Sequence, residues 1–194
     1  MKNDEIVSRS FTESIQAKQG FLTPENVSKT VISAELVAAS FRKGGKLIIA
    51  GNGGSAADAQ HLAAEFINRF EIERPPLPAL AITTDSSDLT SIGNDYSFDQ
   101  VFSKQLLALG KPDDVFLAIT TSGNSQNILK AIEAAETIGM KVIILTGKGG
   151  GLLSGKGDVF VNVDARRTAR IQEVHITFGH VVCELVDHML FQKV

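Results

Sequence analysis

From Lys46 onward, short apolar runs alternate with longer stretches in which apolar positions recur every three or four residues. The runs are KLIIAG (46–51), LPALAIT (77–83), DVFLAIT (114–120), KVIILT (141–146) and DVFVNV (158–163). Four are nearly continuous in apolar residues, the pattern of strands covered by helices on both faces. Between them, AADAQHLAAEFINRF, FDQVFSKQLLALG and SQNILKAIEAAETIG carry helical periodicity, and Gly139 offers the last of these a glycine cap. Strand, Gly/Ser/Thr/Asn turn and helix in repetition predict an α/β fold: three layers, α/β/α, around a five-stranded parallel sheet with right-handed connections.

Ahead of this region, residues 3–19 and 25–42 read as two helices broken at LTPE, where Thr23 is a natural N-cap and Pro24 a natural first helical residue. Beyond the last strand, one long helix is expected from about Thr168 to Phe191. The chain thus reads as a single domain over 1–194: an N-terminal helical extension (1–43), an α/β core (44–165) and a C-terminal helix (166–194). Neither end has a linker's low complexity, so the terminal helices are expected to pack on the sheet or against another subunit.

Composition narrows the function. The 194 residues carry a net charge of −3 with both signs scattered, so neither nucleic acid nor an anionic membrane is expected as a partner. The polar start MKNDEIVSRSFTESIQ lacks a secretory apolar core, no run approaches the roughly 18–20 apolar residues that span a bilayer, and a cytoplasmic protein is the simplest reading. The single cysteine, Cys183, sits in VVCELV and reads as a small buried hydrophobe.

In open α/β sheets ligands bind beyond the carboxyl ends of the strands, which directs attention to the turns there. GNGGS (51–55) has the small residues that let backbone N–H groups approach an anion at a helix N-terminus, with Ser55 able to cap or to donate. Its spacing matches neither a dinucleotide fingerprint nor an NTP loop. TTSGNS (120–125) is the stronger phosphate candidate, because Thr120, Thr121, Ser122 and Ser125 flank a glycine just before a helix; the local alternative is that Ser125 caps that helix and Ser122 makes a turn. A third turn, GND (93–95), offers Asn94 and Asp95 to a polyol.

His61 and Glu65 share one helix face at four-residue spacing, beyond the first glycine turn. Alone they are also explained as a helix-stabilising pair. A second polar cluster, Gln172, Glu173, His175 and His180 in the last helix, changes the picture: two histidines, a glutamate and a glutamine amide oxygen suit zinc or a similar divalent ion. Gln172 and His180 are eight residues apart, roughly 12 Å along a helix, so both reach one ion only with extended side chains or from different subunits.

GNGGSAADAQH with Glu65, GND, TTSGNS, LTGKGGG and ARIQE with His180 together resemble the phosphoheptose isomerases of the sugar isomerase (SIS) domain family, over essentially the whole chain. The resemblance implies a SIS-type, flavodoxin-like sheet order. It implies interconversion of sedoheptulose 7-phosphate and glycero-manno-heptose 7-phosphate, a step toward the heptose of lipopolysaccharide, in a cytoplasmic homotetramer with sites between subunits. It further implies one zinc ion per subunit on His61, Glu65, Gln172 and His180, with Glu65 and His180 moving protons. Asn52, Gly53, Gly54, Ser55, Glu65, Asn94, Asp95, Thr120, Thr121, Ser122, Ser125 and Gln172 are the implied sugar-phosphate contacts. Two positions depart from the pattern: Thr120 stands where serine is usual, keeping the hydroxyl, and Ala169 where some members carry an aspartate. FTESIQ and INRFEIERP are also similar to the DnaA initiator-associating proteins, non-catalytic relatives that lack the complete acid–base and metal set.

Overall fold

The computed structural model describes residues 2–192; residues 1, 193 and 194, which the sequence reading included in the terminal segments, lie outside the described residues. Strands β1 (Leu47–Gly51), β2 (Ala79–Ala81), β3 (Val115–Ile119), β4 (Lys141–Gly147) and β5 (Val159–Val163) form one sheet in the order β2-β1-β3-β4-β5. Every neighbouring pair is parallel. Side chains alternate across a strand, so Leu47, Ile49, Leu117 and Ile143 supply one core while Ile48, Ala50, Phe116 and Ile144 supply the other. The first core is closed by α2 (Pro24–Arg42), α3 (Gly54–Ile67) and α7 (Thr168–Phe191); the second by α5 (Ser103–Leu109) and α6 (Gln126–Ile138). This is the expected three-layer arrangement, and burial of every residue of β1 and β3 accounts for their unbroken apolar runs.

The predicted helix boundaries have physical causes. Thr23 Oγ1 accepts a hydrogen bond from the Asn26 N–H at 3.2 Å and Pro24 opens α2. Gly139 stops α6 in the left-handed conformation at φ 88°. The first helix, α1 (Asn3–Phe21), buries none of its residues and is tied to α7 by the edge-on pair Phe21–Phe178, centroids 6.5 Å apart. Cys183 is fully buried, and burial pushes its thiol up, which bears out the hydrophobe reading.

Two elements differ from expectation. GND is not a turn but the last residues of a helix, α4 (Ser86–Asp95), started by Asp85, whose Oδ1 accepts from the N–H groups of Ser87 (2.9 Å) and Asp88 (3.1 Å). α4 has no fully buried residue and packs on the second core only through Leu89 and Ile92, a stripe too short to signal a helix in sequence. FDQVFSKQLLALG divides into a 3₁₀ turn at Phe98–Gln100 and the short α5.

The sheet order places the ligand crevice. The chain leaves β1 through α3 toward β2 on one face, and leaves β3 through α6 toward β4 on the other. The carboxyl ends of β1 and β3 are therefore a topological switch point, where such sheets bind ligands.

Candidate active site

At that switch point the turns after β1 and β3 face each other across a cleft of about 260 Å³, lined by Asn52, Gly54, Ser55, Thr120, Thr121, Ser122, Ser125, Thr168 and Gln172. Gly53 occupies the N-cap position of α3 at φ 55°, a conformation that favours glycine, and supplies no capping side chain. Ser55 lies inside the first turn of α3, so its hydroxyl is not the cap. Ser125 takes the N-cap position of α6 without a side-chain capping bond; its Oγ meets Thr120 Oγ1 at 3.1 Å instead. Ser122 Oγ accepts from the Asn124 N–H at 3.2 Å. Six hydroxyl residues and two helix starts without side-chain caps thus border one space, a donor set that suits a phosphate monoester.

The second part of the site lies further along α3 and α7. These helices approach closely because two glycines permit it. A β-carbon at Gly54 would lie 2.5 Å from Gln172 Nε2, and one at Gly179 would lie 2.5 Å from Leu62 Cδ2. Just beyond the second contact, His61 Nε2 stands 3.1 Å from Glu65 Oε1 and 3.0 Å from His180 Nε2. A nitrogen–nitrogen contact that short needs one ring nitrogen unprotonated. Burial lowers the His180 pKa, and the neighbouring His61 adds to this against a smaller opposing effect of Glu65. Phe70 stacks on the His180 ring at 5.4 Å, fixing its plane.

Among the described residues, one ligand atom each of His61, Glu65 and His180 lie within 4.8 Å of one another. Two imidazole nitrogens and a carboxylate oxygen, partly open to solvent, fit a divalent ion that keeps a coordination position free. Gln172 faces the glycine turn on the cleft side. Asn94 and Asp95 are exposed at the end of α4, hydrogen-bonded to each other at 2.8 Å, and do not line the cleft.

The SIS domain family model matches residues 10–147. The chain is also 57% identical to the phosphoheptose isomerase of Nitratidesulfovibrio vulgaris over 169 residues, 87% of this chain and 81% of that one. It belongs to the phosphoheptose isomerase group of the SIS domain family. A phosphoheptose isomerase of Shewanella sp. (strain ANA-3) is 52% identical over 194 residues, 97% of each chain. Among solved structures, the phosphoheptose isomerase of Neisseria gonorrhoeae superposes with a TM-score of 0.89 at 48% identity, covering 96% of this chain and 99% of that one. That of Francisella tularensis gives 0.90 at 41% identity, covering 97% and 100%.

Three features of this SIS-domain site escaped the sequence reading. Asn52 and Asn127 exchange reciprocal amide hydrogen bonds, both 2.9 Å, which fasten the glycine turn to the first turn of α6. Asp58, one turn before His61, has its pKa raised by burial, and its Oδ2 is buried without a protein partner. Arg74, in the segment after α3, pairs with Asp187 of α7. Only the first carried a local signal, since Asn127 lies two residues past the hydroxyl turn.

Proposed function

We propose that the chain interconverts sedoheptulose 7-phosphate and glycero-manno-heptose 7-phosphate, working as a single SIS domain within a cytoplasmic homotetramer. The observation that carries this reading is that a carboxyl group and an imidazole, those of Glu65 and His180, meet at His61 on the two helices that frame a hydroxyl-lined cleft. The identity to phosphoheptose isomerases supports the choice of substrate.

Aldose–ketose isomerisation removes a proton next to a carbonyl, holds charge transiently on an enediol and returns the proton to the neighbouring carbon. Glu65 and His180 share those duties, one as base and one as acid. His61, Glu65 and His180 would hold a divalent ion such as zinc, one per subunit, with Gln172 joining through an extended side chain or from a neighbouring subunit. When bound, that ion supplies Lewis-acid polarisation of the carbonyl. Thr120, Thr121, Ser122 and Ser125 hold the phosphate, with Asn52, Gly53, Gly54 and Ser55 against the sugar end, so that remote binding energy orients the reacting carbons. An extended chain advances about 3.3–3.6 Å per three bonds, so the eight bonds from C1 to phosphorus reach roughly 9 Å. Gln172 at the cleft and His180 at the cluster lie roughly 12 Å apart on α7, and side chains close the difference. Asn94 and Asp95 serve the polyol across a subunit boundary.

The tetramer is supported by apolar surface that one chain leaves uncovered. Phe11 and Leu22 are 70% and 72% exposed, and Phe21, Val27, Val31, Val174 and Val181 line an apolar groove of about 330 Å³. No helix among the described residues is long and apolar enough to cross a membrane.

The test is to incubate the purified protein with sedoheptulose 7-phosphate, before and after chelation and with zinc restored, and to follow the aldose by NMR. Zinc-dependent conversion is expected. Absence of conversion under every condition would overturn the reading.

A further inference from the structure

The segment between α3 and β2 carries a buried arginine that the reaction chemistry does not itself require. Arg74 and Asp187 have side chains only 1% and 5% exposed, with Arg74 Nε donating to Asp187 Oδ1 at 2.9 Å. The rest of the guanidinium is spent on the end of α3. Nη2 donates to the carbonyl of Glu65 at 2.9 Å, and Nη1 to those of Phe66 at 2.6 Å and Asn68 at 3.2 Å. A further bond goes to the Pro75 carbonyl at 3.2 Å.

The carbonyls of Glu65 and Phe66 belong to the last turn of α3 and that of Asn68 to its C-cap, where a helix lacks intrahelical donors and bears the negative end of its dipole. A planar cation with five donors can satisfy several of them at once; an ammonium cannot match that fork. Asp187 stands seven residues after His180 on α7, two turns along the same face. One ion pair therefore grips the backbone of Glu65 on one helix and a station two turns from His180 on the other. Those are the residues whose side chains converge on His61.

We propose that Arg74, with Asp187 as its counter-ion, is a positioning residue that sets the Glu65 carboxylate against the His180 ring by locking the end of α3 to α7. The inference rests on the reading of Glu65 and His180 as the reacting pair. It assigns Arg74 no contact with substrate. Its expected signature is on the chemical step and on the geometry of the cluster, since the cleft draws on the turn after β3 and on the N-terminal ends of α3 and α7, whereas Arg74 grips the last turn of α3.

Two variants test it. Arg74→Lys keeps the charge beside Asp187 but loses the fork. Arg74→Met with Asp187→Leu removes both buried charges together, a replacement that folded proteins often tolerate where a single deletion is not tolerated. Each is measured for far-UV circular dichroism, for Co²⁺ binding with its visible absorption spectrum, and for kcat and KM on sedoheptulose 7-phosphate. Loss of kcat by 10- to 100-fold with KM within about threefold is expected, together with Co²⁺ binding weakened by a similar factor and an altered spectrum. A folded variant with wild-type kcat, Co²⁺ affinity and spectrum would overturn the proposal. So would loss of folding in both variants, which would assign the pair to stability alone. If the wild-type protein fails to turn over the sugar phosphate, the isomerase reading falls, while the Co²⁺ data still decide whether Arg74 positions the cluster.

Discussion

The close approach of α3 and α7 at Gly179 brings His61, Glu65 and His180 together, and Gly179→Ala tests it. Two effects of opposite sign meet in this substitution. Alanine in place of a glycine inside a helix gains about 1 kcal/mol of helix propensity. The new methyl, however, would lie 2.5 and 2.6 Å from Leu62 Cδ2 and Cδ1. Leu62 is only 1% exposed, and the internal void that it shares with Gly179 measures only about 10 Å³. Overpacking of a tight core costs about 1–3 kcal/mol, so the net expectation is destabilisation by about 0–2 kcal/mol. The two effects separate in a Leu62→Ala background, where the clash is absent. There Gly179→Ala should stabilise by about 1 kcal/mol, although Leu62→Ala itself costs about 2–5 kcal/mol. The coupling between the two positions is thus expected at about 1–3 kcal/mol. The assay is a double-mutant cycle of urea unfolding midpoints at unchanged m value and fixed protein concentration. Gly20, which has nothing within 4 Å, provides the propensity control as Gly20→Ala. Equal effects of Gly179→Ala in both backgrounds would refute the close-packing argument, and a gain matching that of Gly20→Ala would do so most directly.

Other expectations follow from the same geometry. Glu65→Gln and His180→Gln should each abolish turnover in the NMR assay while leaving circular dichroism and oligomeric state unchanged; normal turnover in either would remove that residue from the mechanism. Ser122→Ala and Ser125→Ala should chiefly raise KM, each by roughly 10- to 100-fold for a hydrogen bond of about 1.5–3 kcal/mol to a charged phosphate. An unchanged KM would put the phosphate elsewhere. His175 is buried on α7 with Nε2 2.9 Å from the Thr146 carbonyl, and burial lowers its pKa to about 4. The unfolded chain then binds the extra proton between about pH 6.5 and 4, so His175 costs stability as pH falls through that window, up to roughly 3 kcal/mol in all. Replacing it by His175→Gln should flatten the pH dependence of the urea midpoint over that range relative to wild type; parallel profiles would contradict the buried neutral ring.

What the sequence discloses depends on whether a residue's role is local. β1 and β3 were legible because burial on both faces leaves only apolar residues in them, and α2 because Thr23 and Pro24 encode its start within a few positions. α4 was not legible: its start depends on one Asp85 side chain, and only Leu89 and Ile92 pack against the core. The hydroxyl turn was readable for the same local reason, whereas the meeting of His61 with His180 spans 119 positions and that of Arg74 with Asp187 spans 113. Spacing along one helix could suggest His61 with Glu65; His180 entered with the polar cluster of the last helix, and its choice over His175 came through resemblance to a family. Arg74 had no such help, because a single arginine in a polar segment has the sequence appearance of a solvated charge. The sequence nevertheless held one unused sign of the tertiary contact. A glycine inside a long amphipathic helix sacrifices propensity, and in TFGHVV it sits directly beside His180. Such a cost calls for a close neighbour, and the neighbour is Leu62, one residue from His61. The glycine that weakens α7 is therefore what lets the histidines of two helices meet.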